Sequence, residues 1–245
     1  MKIIEIHSLG KNFYEIIALK EVDLYVQKGE LLGLIGPNGS GKTTLFDCVT
    51  GILRPTEGKV LFKGKDITSR KPHAVYRMGI GRTFQLVQLF PEMTVLDNML
   101  LAIQESQGNT LSRLFKIKED ENMKRARDVL DFLRIDHLQA NHAKSLSYGQ
   151  QKLLDLGMVL MSDPDLVLLD EPLAGVNRSL AREIIDRVRK LNEQGRTFIL
   201  IEHDMKVVMD LCERIVVLDH GEKIAEGTPE EIKNNDQVLK AYFGG

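Results

Sequence analysis

The stretch of the sequence best suited to chemistry is Gly36-Pro37-Asn38-Gly39-Ser40-Gly41-Lys42-Thr43, which has the pattern GxxxxGKT. An apolar run, Leu31 to Ile35, precedes it, and a helical apolar pattern follows it, so we predict a strand, this loop and a helix. The glycines allow successive backbone N–H groups to point inward beside a helix N-terminus, which suits phosphate oxygens. The stretch therefore predicts a triphosphate site, with Lys42 on the β- and γ-phosphates and the Thr43 hydroxyl on Mg²⁺.

Two carboxylates, Asp170 and Glu171, follow the continuous apolar run Leu166 to Leu169. Such a run is typical of a central parallel strand buried on both faces, and ligands bind at the carboxyl ends of such strands. We predict that Asp170 belongs to the Mg²⁺ shell and that Glu171 orients or deprotonates the attacking water. Without the phosphate loop, two solvated acids at a strand end would be the better interpretation.

A histidine, His203, follows a second apolar and β-branched run, Thr197 to Ile201. A solitary histidine is usually structural or simply exposed. This one follows a strand whose carboxyl end should lie beside the other phosphate-handling groups, so we predict that it contacts the γ-phosphate.

Two further candidates are weaker when each is considered alone. Ser147 and Gln150, in the stretch Leu146-Ser147-Tyr148-Gly149-Gln150, have the spacing of a capping box before a long apolar helix. A capped helix N-terminus that faces outward is also an anion site, so the structural and functional interpretations are compatible. Gln85 follows a predicted strand at Gly79 to Phe84; a lone glutamine is usually a solvated amide, and its position makes it a candidate.

Two aromatic residues, Phe13 and Tyr14, fall in a stretch expected to be a polar loop, Lys11 to Tyr14. An aromatic ring there could stack on an adenine or could cover a strand edge, and the sequence leaves these alternatives open. Phe13 is the preferred adenine contact, with Tyr14 in reserve.

The composition limits the remaining possibilities. The 245 residues are 43% apolar, which is enough for one large domain with a smaller subdomain. The net charge of -2 gives no electrostatic signal for nucleic acid, so we expect no nucleic-acid partner. Cys48 and Cys212 lie in apolar helical patterns and should be buried free thiols, which suits a reducing compartment. The N-terminus, Met1 to Glu5, loses its apolar character too early for a signal peptide, and no run approaches the roughly 20 apolar residues of a membrane span. We therefore expect a cytoplasmic chain that reaches a membrane only through a partner.

The periodicity places the motifs on a mixed α/β framework. Alternating apolar residues predict strands within residues 1–30 and a hairpin at 59–67, and helical spacing predicts helices at 73–78, 93–103, 122–133 and 178–192. Residues 104–120 are polar and show no clear period, so we expect them to vary in conformation. Strands at 215–218 and 223–225 and a helical tail at 229–243 complete the chain.

These motifs, in this order, resemble the ATP-binding cassette (ABC) ATPases over essentially the whole chain. The resemblance implies an α/β fold: a P-loop NTPase core with a mixed sheet, an N-terminal antiparallel β subdomain and an inserted helical subdomain. It implies one cassette domain, 1–245, with the core and β subdomain in 1–85 and 162–245. The helical subdomain, with the signature motif at Leu146 to Gln150, would occupy 86–161.

The same resemblance implies a head-to-tail dimer that sandwiches two ATP molecules, each facing the signature motif of the other chain. ATP and Mg²⁺ are the implied ligands, with Glu171, His203 and Gln85 catalytic and with Thr43, Gln85 and Asp170 at the metal. The residues expected to bind the nucleotide are Phe13, Gly36, Pro37, Asn38, Gly39, Ser40, Gly41, Lys42, Thr43, Thr44, Ser147, Gly149 and Gln150.

Finer motifs are similar to those of the ATPase subunit of branched-chain amino-acid importers. They are Arg82-Thr83-Phe84-Gln85, Leu89 to Val95, Tyr148-Gly149-Gln150-Gln151, Ala174 to Asn177 and Glu202 to Lys206. Urea or amide importers and the lipopolysaccharide exporter remain alternatives. A soluble cassette of DNA repair or translation would have a coiled-coil insertion or a second cassette, and a non-hydrolysing regulator would lack Glu171.

Two residues depart from the broader family pattern. Tyr148 stands where many cassettes have glycine, and Asn177 replaces the usual aspartate, so a role for a carboxylate there is in doubt.

The partners implied by the resemblance are transmembrane permease subunits, a second ATPase subunit that is identical or a related paralogue, and, indirectly, an extracytoplasmic solute-binding protein. The chain would then lie on the inner face of the cell membrane. The permease would dock between Gln85 and Met99, where Leu86, Leu89, Phe90 and Met93 offer apolar contacts unless they belong to the core.

Overall fold

A computed structural model describes residues 1–103 and 112–243 of the chain. Its contacts divide the chain into two compact units. The first comprises Met1–Arg82, Asp165–Glu171 and Arg189–Gly245, and the second comprises Thr83–Pro164 and Pro172–Val188. The second unit therefore extends beyond the predicted helical segment at 86–161.

The strands all belong to the first unit. In chain order they are β1 (Lys2–Phe13), β2 (Ile16–Gln27), β3 (Leu31–Ile35), β4 (Glu57–Phe62), β5 (Lys65–Asp66), β6 (Ile80–Arg82), β7 (Leu166–Asp170), β8 (Thr197–Ile201), β9 (Arg214–Asp219) and β10 (Glu222–Gly227). The helices are α1 (Lys42–Thr50), α2 (Pro72–Arg77), α3 (Val95–Leu101), α4 (Ser112–Phe132), α5 (Tyr148–Met161), α6 (Arg178–Glu193), α7 (Met205–Leu211), α8 (Pro229–Lys233) and α9 (Asp236–Phe243). Short 3-10 turns occupy Asp136–Leu138 and Ala143–Ser145.

A six-stranded sheet positions the candidate site. Its order is β10-β9-β3-β8-β7-β6, and every pair is parallel except β9 with β10. All five residues of β3, β7 and β8 are buried, as the apolar runs predict for central parallel strands. Because β3, β8 and β7 are neighbours, the segments that follow them leave the sheet at one edge. This arrangement confirms the predicted P-loop framework.

A second sheet, in the order β2-β1-β4-β5, is antiparallel throughout. Its apolar face contributes Ile4, Ile6, Val60 and Phe62, which are at most 1% exposed, to the same hydrophobic cluster as Leu34 of β3. Residues of both sheets thus contribute to one hydrophobic core in the first unit. The predicted antiparallel β subdomain is confirmed.

The second unit is built from helices with defined starts. Thr94 caps α3 in a capping box with Asp97, as its sequence position predicts. Within this unit α5 passes close to its neighbours at Gly157, where an added Cβ would lie 2.9 Å from Leu133 and 3.0 Å from the Met99 sulfur. The glycine therefore allows the helices to approach closely.

Two local predictions were wrong. Lys11 and Phe13 belong to β1 instead of a loop, and only Tyr14 lies in the hairpin turn. Residues 112–120 are helical, as part of α4, whereas 104–111 lie outside the described residues. The predicted helical tail is confirmed as two helices, α8 and α9, and the strand predicted at Gly79 to Phe84 is confirmed as the shorter β6.

Within the described ranges, no helix is both long enough and apolar enough to cross a membrane. The free thiols predicted at Cys48 and Cys212 are both buried.

Candidate nucleotide-binding site

The glycine-rich loop joins β3 to α1, and two of its glycines have backbone conformations that a side chain would disturb. Gly36 has a φ of 151°, and an added Cβ would lie 2.0 Å from the carbonyl oxygen of Leu218. Gly41, with a φ of 101°, precedes α1 and passes the carbonyl oxygen of Ala18, which would be 2.6 Å from a Cβ. Among the residues that the structure describes, no side chain caps α1, and its first turn contains no acid, so this helix N-terminus retains the electrostatics of an anion site.

Lys42 lies over the loop. It is 7% exposed, and its Nζ donates to the carbonyl oxygens of Gly36 at 2.8 Å and Pro37 at 2.9 Å. Burial lowers the pKa of Lys42, while the negative charges of Glu171 and Asp170 oppose that shift. Its charge is thus held by the loop backbone, near the two strand-end carboxylates.

Asp170, at the end of β7, is buried beside a cation that our sequence reasoning did not assign to the site. Arg82 of β6 donates from Nη2 to Asp170 Oδ2 at 2.8 Å and from Nη1 to Asp47 of α1. Burial raises the pKa of Asp170, and the Arg82 guanidinium opposes the shift. Because β6 and β7 are parallel neighbours, their carboxyl ends lie side by side. Arg82, at the carboxyl end of β6, could therefore have been recognised as a partner of Asp170 once this pairing was known.

Glu171 and His203 are brought together. Glu171 Oε1 lies 2.8 Å from His203 Nε2, and their side chains are 15% and 47% exposed. Glu171 has a φ of 49°, in the left-handed region, and its backbone N–H donates to the Ile201 carbonyl oxygen at the end of β8. A non-glycine residue in this conformation stores backbone strain, which is common at functional sites.

The C-terminal helix also reaches the loop, a contact that our sequence reasoning missed. The backbone N–H of Gly36 donates to the half-buried Tyr242 phenolic oxygen, and burial raises the pKa of that phenol. A pocket of about 240 Å³ lies between residues 37–40 of the loop and Lys240 and Ala241 of α9. No local sequence signal links residues more than 200 positions apart, so this contact had to come from the structure.

The adenine candidates lie at the β1–β2 hairpin. Phe13 is 38% exposed with the Lys11 ammonium 4.9 Å from its ring centroid, and Tyr14 is 104% exposed in the turn. Both rings remain accessible, so the choice between them remains a prediction.

The signature stretch lies in the second unit. Ser147 caps α5 and forms a capping box with Gln150, as predicted. Gly149 packs closely against Leu180, whose Cδ2 atom would lie 2.1 Å from an added Cβ and would have to move. Gln85 also belongs to this unit, and its side chain is exposed. The remaining predicted site residues belong to the first unit: Phe13, Gly36 to Thr44, Asp170, Glu171 and His203.

Both departures from the family pattern have local explanations. The Asn177 side-chain oxygen accepts the Leu180 backbone N–H at 3.0 Å, which caps the start of α6 without a charge. The Tyr148 ring lies against Gly175, where an added Cβ would be 3.0 Å away, and the Lys152 ammonium is 5.7 Å from the ring centroid.

Comparison with known families gives two matches. A family model described as "ABC transporter" matches residues 19–174, and one described as "Branched-chain amino acid ATP-binding cassette transporter" matches residues 222–245. The second match includes α9, which carries Tyr242.

Among curated proteins, the chain is 42% identical to the probable branched-chain amino acid transport ATP-binding protein LivG of Archaeoglobus fulgidus. The match covers 100% of this chain and 96% of that protein. This chain is also 40% identical to the high-affinity branched-chain amino acid transport ATP-binding protein BraF of Pseudomonas aeruginosa. That match covers 99% of this chain and 98% of BraF.

Solved structures agree. The ADP conformation of a cassette from an ABC transporter superposes with a TM-score of 0.89 at 39% identity, covering 100% of both chains. A dimeric bacterial ABC transporter cassette superposes with a TM-score of 0.80 at 28% identity, over 92% of this chain and 98% of that one.

Proposed function

Because the chain belongs to the ATP-binding cassette transporter family, as an ATPase, we propose that it powers the import of branched-chain amino acids. The amino-acid class is supported by similarity to LivG and BraF along almost their whole length and by the match over residues 222–245. The chain is a subunit of a transporter complex, and its solute is chosen by other subunits.

The single observation that carries the hydrolytic function is the Glu171–His203 pair, 2.8 Å apart in the same unit as the phosphate loop. In this proposal Glu171 orients and deprotonates the attacking water, and His203 contacts the γ-phosphate. Their hydrogen bond fixes the carboxylate with respect to the histidine, so that both can act on one reacting centre.

Nucleotide binding is proposed at the loop from Gly36 to Thr44. Its backbone N–H groups and the α1 N-terminus would hold the phosphates, and Lys42 would exchange its bonds to the Gly36 and Pro37 carbonyls for phosphate oxygens. Phe13 would stack on the adenine, with Tyr14 as the alternative.

The donor set in the first unit fits Mg²⁺. Asp170 offers a carboxylate and the exposed Thr43 offers a hydroxyl, and Mg²⁺ is usually bound by one or two such oxygen ligands together with phosphates. Gln85, in the second unit, is the third proposed ligand on the basis of the family resemblance. When bound, Mg²⁺ would neutralise charge that develops on the phosphates.

For assembly, we propose a head-to-tail dimer in which Ser147, Gly149 and Gln150 meet the nucleotide of a second ATPase subunit, identical or paralogous. A capped helix N-terminus suits an anion presented by another chain. The permease subunits would dock near Gln85 to Met99, where Leu86 is 74% and Phe90 50% exposed. In this proposed assembly the chain would lie on the cytoplasmic face of the membrane, and a solute-binding protein would act on the far side.

The experiment compares wild type with Glu171→Gln, each with ATP and with or without Mg²⁺, by light scattering and phosphate release. Glu171→Gln should bind ATP, accumulate an ATP-bound dimer and hydrolyse little. Parental turnover in the variant would contradict the assignment of Glu171.

The solute is tested after reconstitution with the permease and binding protein from the same operon. ATP turnover should be stimulated by leucine, isoleucine or valine. Stimulation by urea or amides instead would contradict the amino-acid assignment.

A further inference from the structure

The backbone of the loop that carries Gln85, residues 84–90, is held by buried polar side chains of two helices. On α5, the Lys152 Nζ donates to the Gln85 carbonyl oxygen at 2.8 Å. One turn later, the Asp155 carboxyl accepts hydrogen bonds from the backbone N–H groups of Phe84 and Gln88. All of these residues lie within the second unit. Together the contacts hold the Gln85 carbonyl and the backbone before and after Gln85.

The far end of the same loop is fixed in a similar way by α3. The Asn98 side chain accepts the Phe90 backbone N–H at 2.8 Å and donates to the Phe90 carbonyl oxygen at 3.1 Å. Asn98 is 0% exposed, so this contact also lies in the interior. The loop thus runs between two buried polar anchors, while Gln85 itself is exposed.

The anchors on α5 are costly for the fold. Lys152 and Asp155 are each 5% exposed, and within the described residues the buried Asp155 Oδ2 atom makes no hydrogen bond. Burying such groups costs free energy that apolar side chains would not, and the neighbouring α5 positions Leu153, Leu154 and Leu156 are apolar and buried. Apolar side chains at these two positions could pack α5 against its neighbours, but they could not form hydrogen bonds with the backbone of the loop. The polar pair therefore does something for the loop that apolar packing would not.

We propose that Lys152 and Asp155 are positioning residues for ATP hydrolysis, which set the Gln85 backbone relative to α5. The proposal rests on the role in hydrolysis proposed above for Gln85. The helix that holds this loop is also the helix that begins at the capping residue Ser147. The pair therefore fixes the geometry between the loop and the signature end of the same helix.

The test measures steady-state ATP hydrolysis by the full chain with Mg²⁺. Lys152→Met removes the donor but keeps the aliphatic stem, and Asp155→Leu removes the acceptor at similar volume. Each should lower kcat by about tenfold to a hundredfold, as expected for a displaced catalytic group, while KM for ATP changes by less than about twofold. Asp155→Asn, which retains an acceptor oxygen, should recover most of kcat.

Matched controls are available on α4, where Lys124 and Asp128 are exposed. Lys124→Met and Asp128→Leu should keep the parental kcat and KM. Circular dichroism confirms folding, and Lys152→Met carries the test if Asp155→Leu does not fold.

The outcomes separate two failures. Absence of turnover in wild type would overturn the proposed function, whereas active wild type with parental kcat in Lys152→Met would overturn the positioning role. Equal losses in Asp155→Asn and Asp155→Leu would also contradict the role assigned to the acceptor.

Discussion

The pH dependence of stability should report the buried Asp155 directly. Burial raises the pKa of this carboxyl from 3.8 to about 7, although the charge of Lys152 and the N–H groups of Phe84 and Gln88 favour its ionised form. The folded state therefore binds a proton more tightly than the unfolded state does. Between about pH 4 and about pH 7 the folded state carries more protons, so the free energy of unfolding falls as the pH rises through that range.

The size of the effect follows from the two pKa values. They differ by roughly 3, and each tenfold change in acid dissociation is worth about 1.4 kcal/mol, which gives about 4 kcal/mol in total. Below about pH 5.5 other carboxyl groups also titrate, so the contribution of Asp155 is best measured above that pH. Between about pH 5.5 and about pH 8, integration leaves about 2 kcal/mol for Asp155 alone.

The assay is urea unfolding of wild type and Asp155→Asn, followed by far-ultraviolet circular dichroism because the chain contains no tryptophan. From about pH 5.5 to about pH 8, the stability of wild type relative to Asp155→Asn should decline by about 2 kcal/mol. Asp128→Asn, at an exposed position of the same unit, should follow the wild-type profile. A difference between wild type and Asp155→Asn that stays constant over this range would refute the reasoning.

Substitutions at three further positions test the first unit and the start of α6. Lys42→Ala removes a charged phosphate donor and should weaken ATP binding by about tenfold or more in calorimetry, and unchanged affinity would contradict the phosphate-loop assignment. Arg82→Met leaves the buried Asp170 without its guanidinium partner, so unfolding should become easier by about 3 to 5 kcal/mol, and a loss below about 1 kcal/mol would contradict the ion pair. Asn177→Ala should cost about 1 kcal/mol in urea unfolding while Asn177→Asp keeps the cap, and equal losses would show that the cap does not matter.

The sequence predicted the features that arise from local patterns. The buried strands β3, β7 and β8 were recognisable because a strand covered on both faces must be apolar throughout. Ser147 was recognisable as a cap because its hydroxyl and the side chain of Gln150 satisfy backbone groups that the helix itself leaves unpaired. The phosphate loop was recognisable because its glycines are spaced within one short stretch of sequence, between a strand and a helix.

Features that depend on tertiary contacts were not predictable. Asp155 falls at a helix position where a carboxylate is ordinarily solvated, and only its partners at Phe84 and Gln88 explain its burial. Tyr242 meets Gly36 across most of the chain length. The first turns of α4 lack an apolar stripe, although their lysine, glutamate and leucine have high helix propensity, so periodicity alone gave the wrong answer.

The polar anchors also limit how the Gln85 loop can move. Displacing the loop from α5 would break the Lys152 bond to the Gln85 carbonyl and both bonds to Asp155. Each buried group left without a partner costs about 1 to 3 kcal/mol, so separating loop from helix would cost several kcal/mol, a large fraction of ordinary protein stability. Moving loop and helix together breaks none of these bonds. A force applied at the exposed Leu86 should therefore displace α5 as a rigid body, with Ser147 moving at its N-terminus.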